Sequence, residues 1–153
     1  MVIGSGAEPA SIDLGDAMLA PEATLDGLRV LLVDDDADTR EAIYAVLKEC
    51  GAEVSAFACA PEALAALRRE VPDVLVSDIA MPGMDGHLLM RRIRELAAER
   101  GGSIPAIALT AYASPADRTL ALLAGYQVFL PKPFDPAELV ALVAKLAGVM
   151  PGA

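Results

Sequence analysis

Tryptophan is absent from this 153-residue chain, and tyrosine and phenylalanine number three each, so aromatics make up only 4% of it. A core must therefore be filled by Ala, Leu and Val, within a hydrophobic fraction of 55%. Cysteine occurs twice, as Cys50 and Cys59, with neither CxxC nor metal-type spacing. Two thiols in a chain long enough for an ordinary core exclude a disulfide scaffold and suit a reducing compartment. Both read as small apolar filler. Cationic side chains are scarce, 12 Lys and Arg against 22 Asp and Glu, for a net charge of −10. That balance excludes unaided binding to nucleic acid or to an anionic membrane surface. It leaves metals, cationic ligands and basic partner faces open. No apolar stretch approaches the ~18 residues of a membrane span without a charge or a breaker. No Lys or Arg precedes Arg29, so the basic start of a signal peptide is missing, and the expected location is cytoplasmic.

Residues 1–26 carry Glu8, Asp13, Asp16, Glu22 and Asp26 with no base, and so supply −5 of the −10. They read as an acidic linker or disordered lead-in, or as a segment left from an upstream domain. From Gly27 an alternation sets in. Residues 28–33 (LRVLLV) predict a strand ending on Asp34-Asp35-Asp36. In 39–50, Ala42, Ile43, Val46, Leu47 and Cys50 have the spacing of an amphipathic helix, capped by Asp36 or Asp38 and stopped by Gly51. Residues 53–57 predict a second strand, 61–69 a second helix, and 74–77 a third strand closing on Asp78. The third helix is expected from Asp85 to about Glu99, with Leu88, Leu89, Ile93 and Leu96 inward and Arg91, Arg92 and Arg94 largely outward. Residues 104–109 predict a fourth strand ending on Thr110, and 128–130 a fifth before Pro131-Lys132-Pro133. Ser114-Pro115-Ala116-Asp117 and Asp135-Pro136-Ala137-Glu138 open the fourth and fifth helices with a cap, a proline and an acid. Strands and helices alternating through short loops predict an α/β fold. It is a (βα)5 doubly wound, five-stranded parallel sheet covered on both faces, over residues 27–148, with 149–153 a flexible tail.

Chemistry collects after the strands. Asp34 and Asp35 follow the first, Asp78 the third, Thr110 the fourth and Lys132 the fifth. A parallel sheet brings all of these to one edge, where open α/β sheets bind ligands. Carboxylates sharing a pocket repel unless a cation joins them. Oxygen donors in small number favour a hard ion with room for water, which points to Mg²⁺. A metal, an ammonium and a hydroxyl together suit a phosphoryl group, and the Asp78 carboxylate is the atom set to accept it.

Four motifs stand in order: VLLVDDD ending at Asp36, VSDIAMPGMDG at 76–86, IALTAYA at 107–113 and FLPKPF at 129–134. Together they make the chain resemble the receiver domain of two-component response regulators, the CheY-like family, over nearly all of 28–147. The resemblance implies a flavodoxin-like strand order 2-1-3-4-5, with Asp78 as phosphoacceptor. It implies Mg²⁺ held by Asp34, Asp35, Asp78 and the backbone carbonyl of Ala80, with Asp34 acting mainly through water. It makes Lys132 the lysine that pairs with the phosphoryl group and Thr110 the hydroxyl that swings toward it. Phe129 matches the aromatic switch position, and Lys132-Pro133 a peptide bond that is cis in the family. Phosphorylation would then repack the helix 4/strand 5 surface. The implied partners are a histidine kinase or phosphotransfer protein as donor and a downstream protein or cis output domain as reader, with no direct nucleic acid and no membrane. No separate substrate is turned over. The chain is a stand-alone receiver or a piece of a larger protein such as a hybrid histidine kinase, whose C-terminal receiver the approach at Leu25-Asp26-Gly27 resembles.

Several residues have blander readings. Asp36 reads as a helix cap, His87 as a half-exposed surface residue, Arg91, Arg92 and Arg94 as a solvated face, and Met81, Met84 and Met90 as packing. Ala80, which offers no polar group to orient a water, and Tyr112, which can shield the phosphoryl, predict a long-lived phosphoryl group. The competing function is a small Mg²⁺-dependent phosphatase of the haloacid dehalogenase type, for which Asp34-x-Asp36 is a superficial match. Such an enzyme needs a further acidic pair after a late strand, where this sequence has Thr110.

Overall fold

The computed structural model describes residues 25–81, 83–111 and 114–148. The readings of 1–24, of 149–153 and of Tyr112 lie outside these residues. Strands and helices alternate as β1 (Arg29–Val33), α1 (Ala37–Glu49), β2 (Glu53–Phe57), α2 (Ala60–Arg69), β3 (Val74–Asp78), α3 (Gly86–Arg94), β4 (Ala106–Thr110), α4 (Pro115–Ala124), β5 (Val128–Pro131) and α5 (Pro136–Leu146). All strand pairs are parallel, in the order β2-β1-β3-β4-β5, as the resemblance implied.

Alternate strand residues point to opposite faces of the sheet and build two cores. Val30, Leu32, Val74, Val76, Ile107 and Leu109 pack under Ile43 and Leu47 of α1 and Leu139 and Val143 of α5. Leu31, Val33, Leu75, Ala106 and Ala108 pack under α2, α3 and α4. Because both faces are covered, β3 and β4 are buried at every position, which is why each opens on an unbroken apolar run, closed by Ser77 and Asp78 in β3 and by Thr110 in β4. Leu25, counted with the lead-in from the sequence, is fully buried, and its N–H donates to the Cys50 carbonyl at 3.2 Å. The packed structure thus reaches back at least to Leu25.

The helix starts follow their caps. Asp36, not Asp38, caps α1 by accepting from the Thr39 N–H, Asp85 caps α3 and Asp135 caps α5. Ser114 and Asp117 form a reciprocal capping box on α4.

Helix α3 departs from expectation. It ends at Arg94 instead of near Glu99, and a separate 3₁₀ turn covers Ala98–Arg100. Ala97 is extended and Gly101 has φ of +106°, so the chain turns back although Leu96 prolongs the apolar spacing. The buried stripe is Leu89, Met90 and Ile93, with Leu88 and Leu96 only partly covered. Among the described residues, no helix is long and apolar enough to cross a membrane.

Candidate functional site

The carboxyl ends of β1, β3, β4 and β5 lie side by side, because Val33 pairs with Ser77, Asp78 with Leu109 and Thr110 with Pro131. That register carries Asp34, Asp35, Asp78, Thr110 and Lys132 to one rim. Carboxylate oxygens of Asp34, Asp35 and Asp78 lie within 4.8 Å of one another. Lys132, 98 positions from Asp34 in the chain, donates from Nζ to Asp34 Oδ2 at 2.9 Å and stands 3.7 Å from Asp78 Oδ1.

The acids differ in depth. Asp34 is fully buried: its Oδ1 accepts from the Asp36 N–H at 2.9 Å, and its carbonyl accepts from Arg40 Nη1 at 2.7 Å. Asp35 is exposed and Asp78 only 5% exposed. Burial first, and then the Asp34 charge, push the Asp78 carboxyl up from 3.8 to about 6, against the pull of Lys132; Asp35 raises it further by a hydrogen bond and by its charge. Asp36 stays below the ordinary carboxylate range because the Thr39 hydroxyl and N–H donate to it.

The remaining predicted residues lie at the end of β4, in the β3–α3 loop, and in and just after β5. Thr110 is 2% exposed at the end of β4, and its carbonyl accepts from the Lys132 N–H at 2.8 Å. The Lys132-Pro133 bond is cis. Ala80 is an exposed residue of the β3–α3 loop, two positions beyond Asp78. Phe129 sits in β5 opposite Ala108, half-buried against the core under α2–α4.

This donor set fits a hard divalent cation. Three carboxylates stand with the Lys132 ammonium, and beyond the burial that chiefly raises the Asp78 carboxyl, the charges of Asp34 and Asp35 raise it further, a repulsion that a cation would relieve.

A model of the response regulator receiver domain matches residues 30–144. The chain belongs to that family. The receiver is 48% identical over 128 residues to an uncharacterized 14.6 kDa protein from the sodA1 3′ region of Leptolyngbya boryana, covering 84% of this chain and 96% of that one. It is 40% identical over 120 residues to the response regulator Rre1 of Synechocystis sp., with 78% of this chain covered but only 51% of Rre1, so it spans about half of that relative. A crystal structure of the receiver domain of a Pseudomonas aeruginosa sensor histidine kinase, with a magnesium ion coordinated in its active site cleft, superposes with a TM-score of 0.74 at 35% identity, over 80% of this chain and 98% of that one. The receiver is thus a module of two-component signalling, and its Asp-rich pocket fits a phosphoacceptor. The phosphatase reading is left without support, since β4 of the receiver ends in Thr110 where that chemistry needs acids.

Two residues with structural work around the receiver's site were not anticipated. Arg94, expected to lie largely outward, is half-buried. Its Nε and Nη2 donate to the Gly125 carbonyl at 3.1 and 2.7 Å, and its Nη1 to the Gly102 carbonyl at 2.9 Å. Tyr126 is 2% exposed, and its hydroxyl donates to the Gly86 carbonyl at 2.8 Å. Helical spacing does put Arg94 four positions after the buried Met90, and Tyr126 is the aromatic between a helix-stopping glycine and a strand. Neither signal names a partner.

Proposed function

We propose that Asp78 is the phosphoacceptor of a His-to-Asp phosphorelay, working with Mg²⁺ held by Asp34, Asp35, Asp78 and the Ala80 carbonyl. The observation that carries this reading is the position of Lys132 Nζ, which bridges Asp34 and Asp78 at 2.9 and 3.7 Å from the last loop of the sheet. An ammonium held there stands where the charge of a phosphoryl group on Asp78 would develop.

The donor is a phosphohistidine of a histidine kinase or phosphotransfer protein. An Asp78 carboxylate oxygen attacks phosphorus, the P–N bond breaks with its electron pair going to the imidazole nitrogen, and an acyl phosphate forms on Asp78. Mg²⁺, when bound, supplies Lewis-acid neutralisation of the phosphoryl oxygens. Lys132 pairs with the same oxygens and the Thr110 hydroxyl donates to them. Water attack on phosphorus later restores the carboxylate and releases phosphate. No separate substrate is turned over.

The new charge biases a two-state element. Thr110 and Phe129 carry the change to the α4 and β5 surface, where Leu120 and Leu123 of α4 are 53% and 78% exposed. The reader is a downstream protein or a cis output domain, the receiver being either free-standing or part of a hybrid kinase in the cytoplasm. Acetyl phosphate with Mg²⁺ tests the reading. We expect uptake of about one equivalent of phosphoryl group, abolished in Asp78→Asn and by chelation. Undiminished uptake in Asp78→Asn, or continuous turnover of phosphate esters, would overturn it.

A further inference from the structure

We propose that Tyr126 is a positioning residue for the metal site. Its buried hydroxyl ties the α4–β5 connection to the first residue of α3, and so holds the β3–α3 loop, which carries the Ala80 carbonyl, in the shape the site needs. The inference rests on the assignment of Asp34, Asp35, Asp78 and Ala80 as the Mg²⁺ site.

The contacts form a continuous path. The Tyr126 hydroxyl donates to the Gly86 carbonyl, 40 positions away. The Gly86 N–H in turn donates to the Ile79 carbonyl at 2.8 Å, closing the loop that contains Ala80. Gly86 is pressed onto the backbone of the acceptor strand: a Cβ there would lie 2.5 Å from the Asp78 carbonyl oxygen and 2.7 Å from Ile79 Cα. On the strand side, the buried Ser77 hydroxyl donates at 2.9 Å to the Asp78 carbonyl, the same oxygen against which Gly86 is pressed. Two hydroxyls thus hold the backbone behind the acceptor, that of Ser77 bonded to the Asp78 carbonyl and that of Tyr126 to the carbonyl of the residue packed against it.

Packing alone does not call for this hydroxyl. Tyr126 lies in the apolar core with Leu89, Met90 and Ala108, where a phenyl ring would fill the same space. An unbonded hydroxyl at that depth would be costly, so its gain lies in the carbonyl it reaches. The neighbouring Gly125 carbonyl accepts from Arg94 at the other end of α3. The Gly125-Tyr126 pair therefore grips α3 at both ends, and only the Tyr126 end touches the metal-site loop.

Calorimetric titration with Mg²⁺ near neutral pH tests this on the whole chain. Tyr126→Phe keeps the ring and should weaken Mg²⁺ binding about tenfold, the low end for residues that orient metal ligands. Ser77→Ala should shift binding in the same direction. Arg94→Met, at the far end of α3, should lower the urea midpoint and leave Mg²⁺ affinity at the wild-type value. If Tyr126→Phe and Ser77→Ala both bind Mg²⁺ within about twofold of wild type, while Asp78→Asn loses binding, the positioning role is wrong and the metal site stands. If wild type itself takes up no Mg²⁺, the site assignment falls and takes this inference with it.

Discussion

Asp78 is held in a place that resists its charge. Its carboxyl titrates near 6, above the ordinary 3.8, because burial and Asp34 favour the protonated form. A carboxyl whose pKa is higher in the folded state contributes stability that is fully present below about pH 4 and is lost as pH rises through about 6. The loss amounts to ~3 kcal/mol at most. Asp78→Asn removes the charge while Lys132 keeps its bond to Asp34. Without metal, that variant should be more stable than wild type by about 1–3 kcal/mol at pH 7 and no more stable at about pH 4. Urea unfolding at the two pH values measures the difference. An equal gain at both would mean that something other than ionisation of Asp78 is responsible.

At the scale of the element, α3 is the helix on which the site leans. Its first residue must be glycine, because the Asp78 carbonyl occupies the space of a Cβ. Gly86→Ala should drive α3 away from β3 and cost about 3 kcal/mol, seen as a lower urea midpoint. At the other end, Arg94→Met strips the bonds to the Gly125 and Gly102 carbonyls and should cost about 2 kcal/mol. Arg92→Met, on the exposed side of the same helix, should stay within about 0.5 kcal/mol of wild type. Equal effects from Arg92 and Arg94 would refute the clamp.

Over the whole molecule, the loops of four strands share one charge imbalance, so a cation that joins them should brace the entire sheet edge. Mg²⁺ at about 100 times its dissociation constant adds about 2.7 kcal/mol, which should raise the melting temperature by about 10 °C. The rise should shrink as pH falls below about 6, where a proton competes for Asp78, and should be nearly absent in Asp78→Asn. Melting curves with Mg²⁺ and with equal ionic strength of Na⁺ separate this binding from general screening.

The local pattern of the chain was enough for the strand–helix alternation, the two-faced burial of the sheet and the groups that follow each strand. Short unbroken apolar runs ending in an acid or a threonine have few other uses, and caps such as Ser114 and Asp135 act on their own neighbours. What only the tertiary structure decided is distance and depth. It made Asp34 fully buried and the adjacent Asp35 exposed, and it brought Lys132 within 2.9 Å of an acid 98 positions away. It also turned Arg94 and Tyr126 inward onto the carbonyls of Gly125 and Gly86, and it ended α3 where the helical spacing alone would have continued. These outcomes depend on how far each loop lets one element slide over another, which no periodicity within a single element encodes.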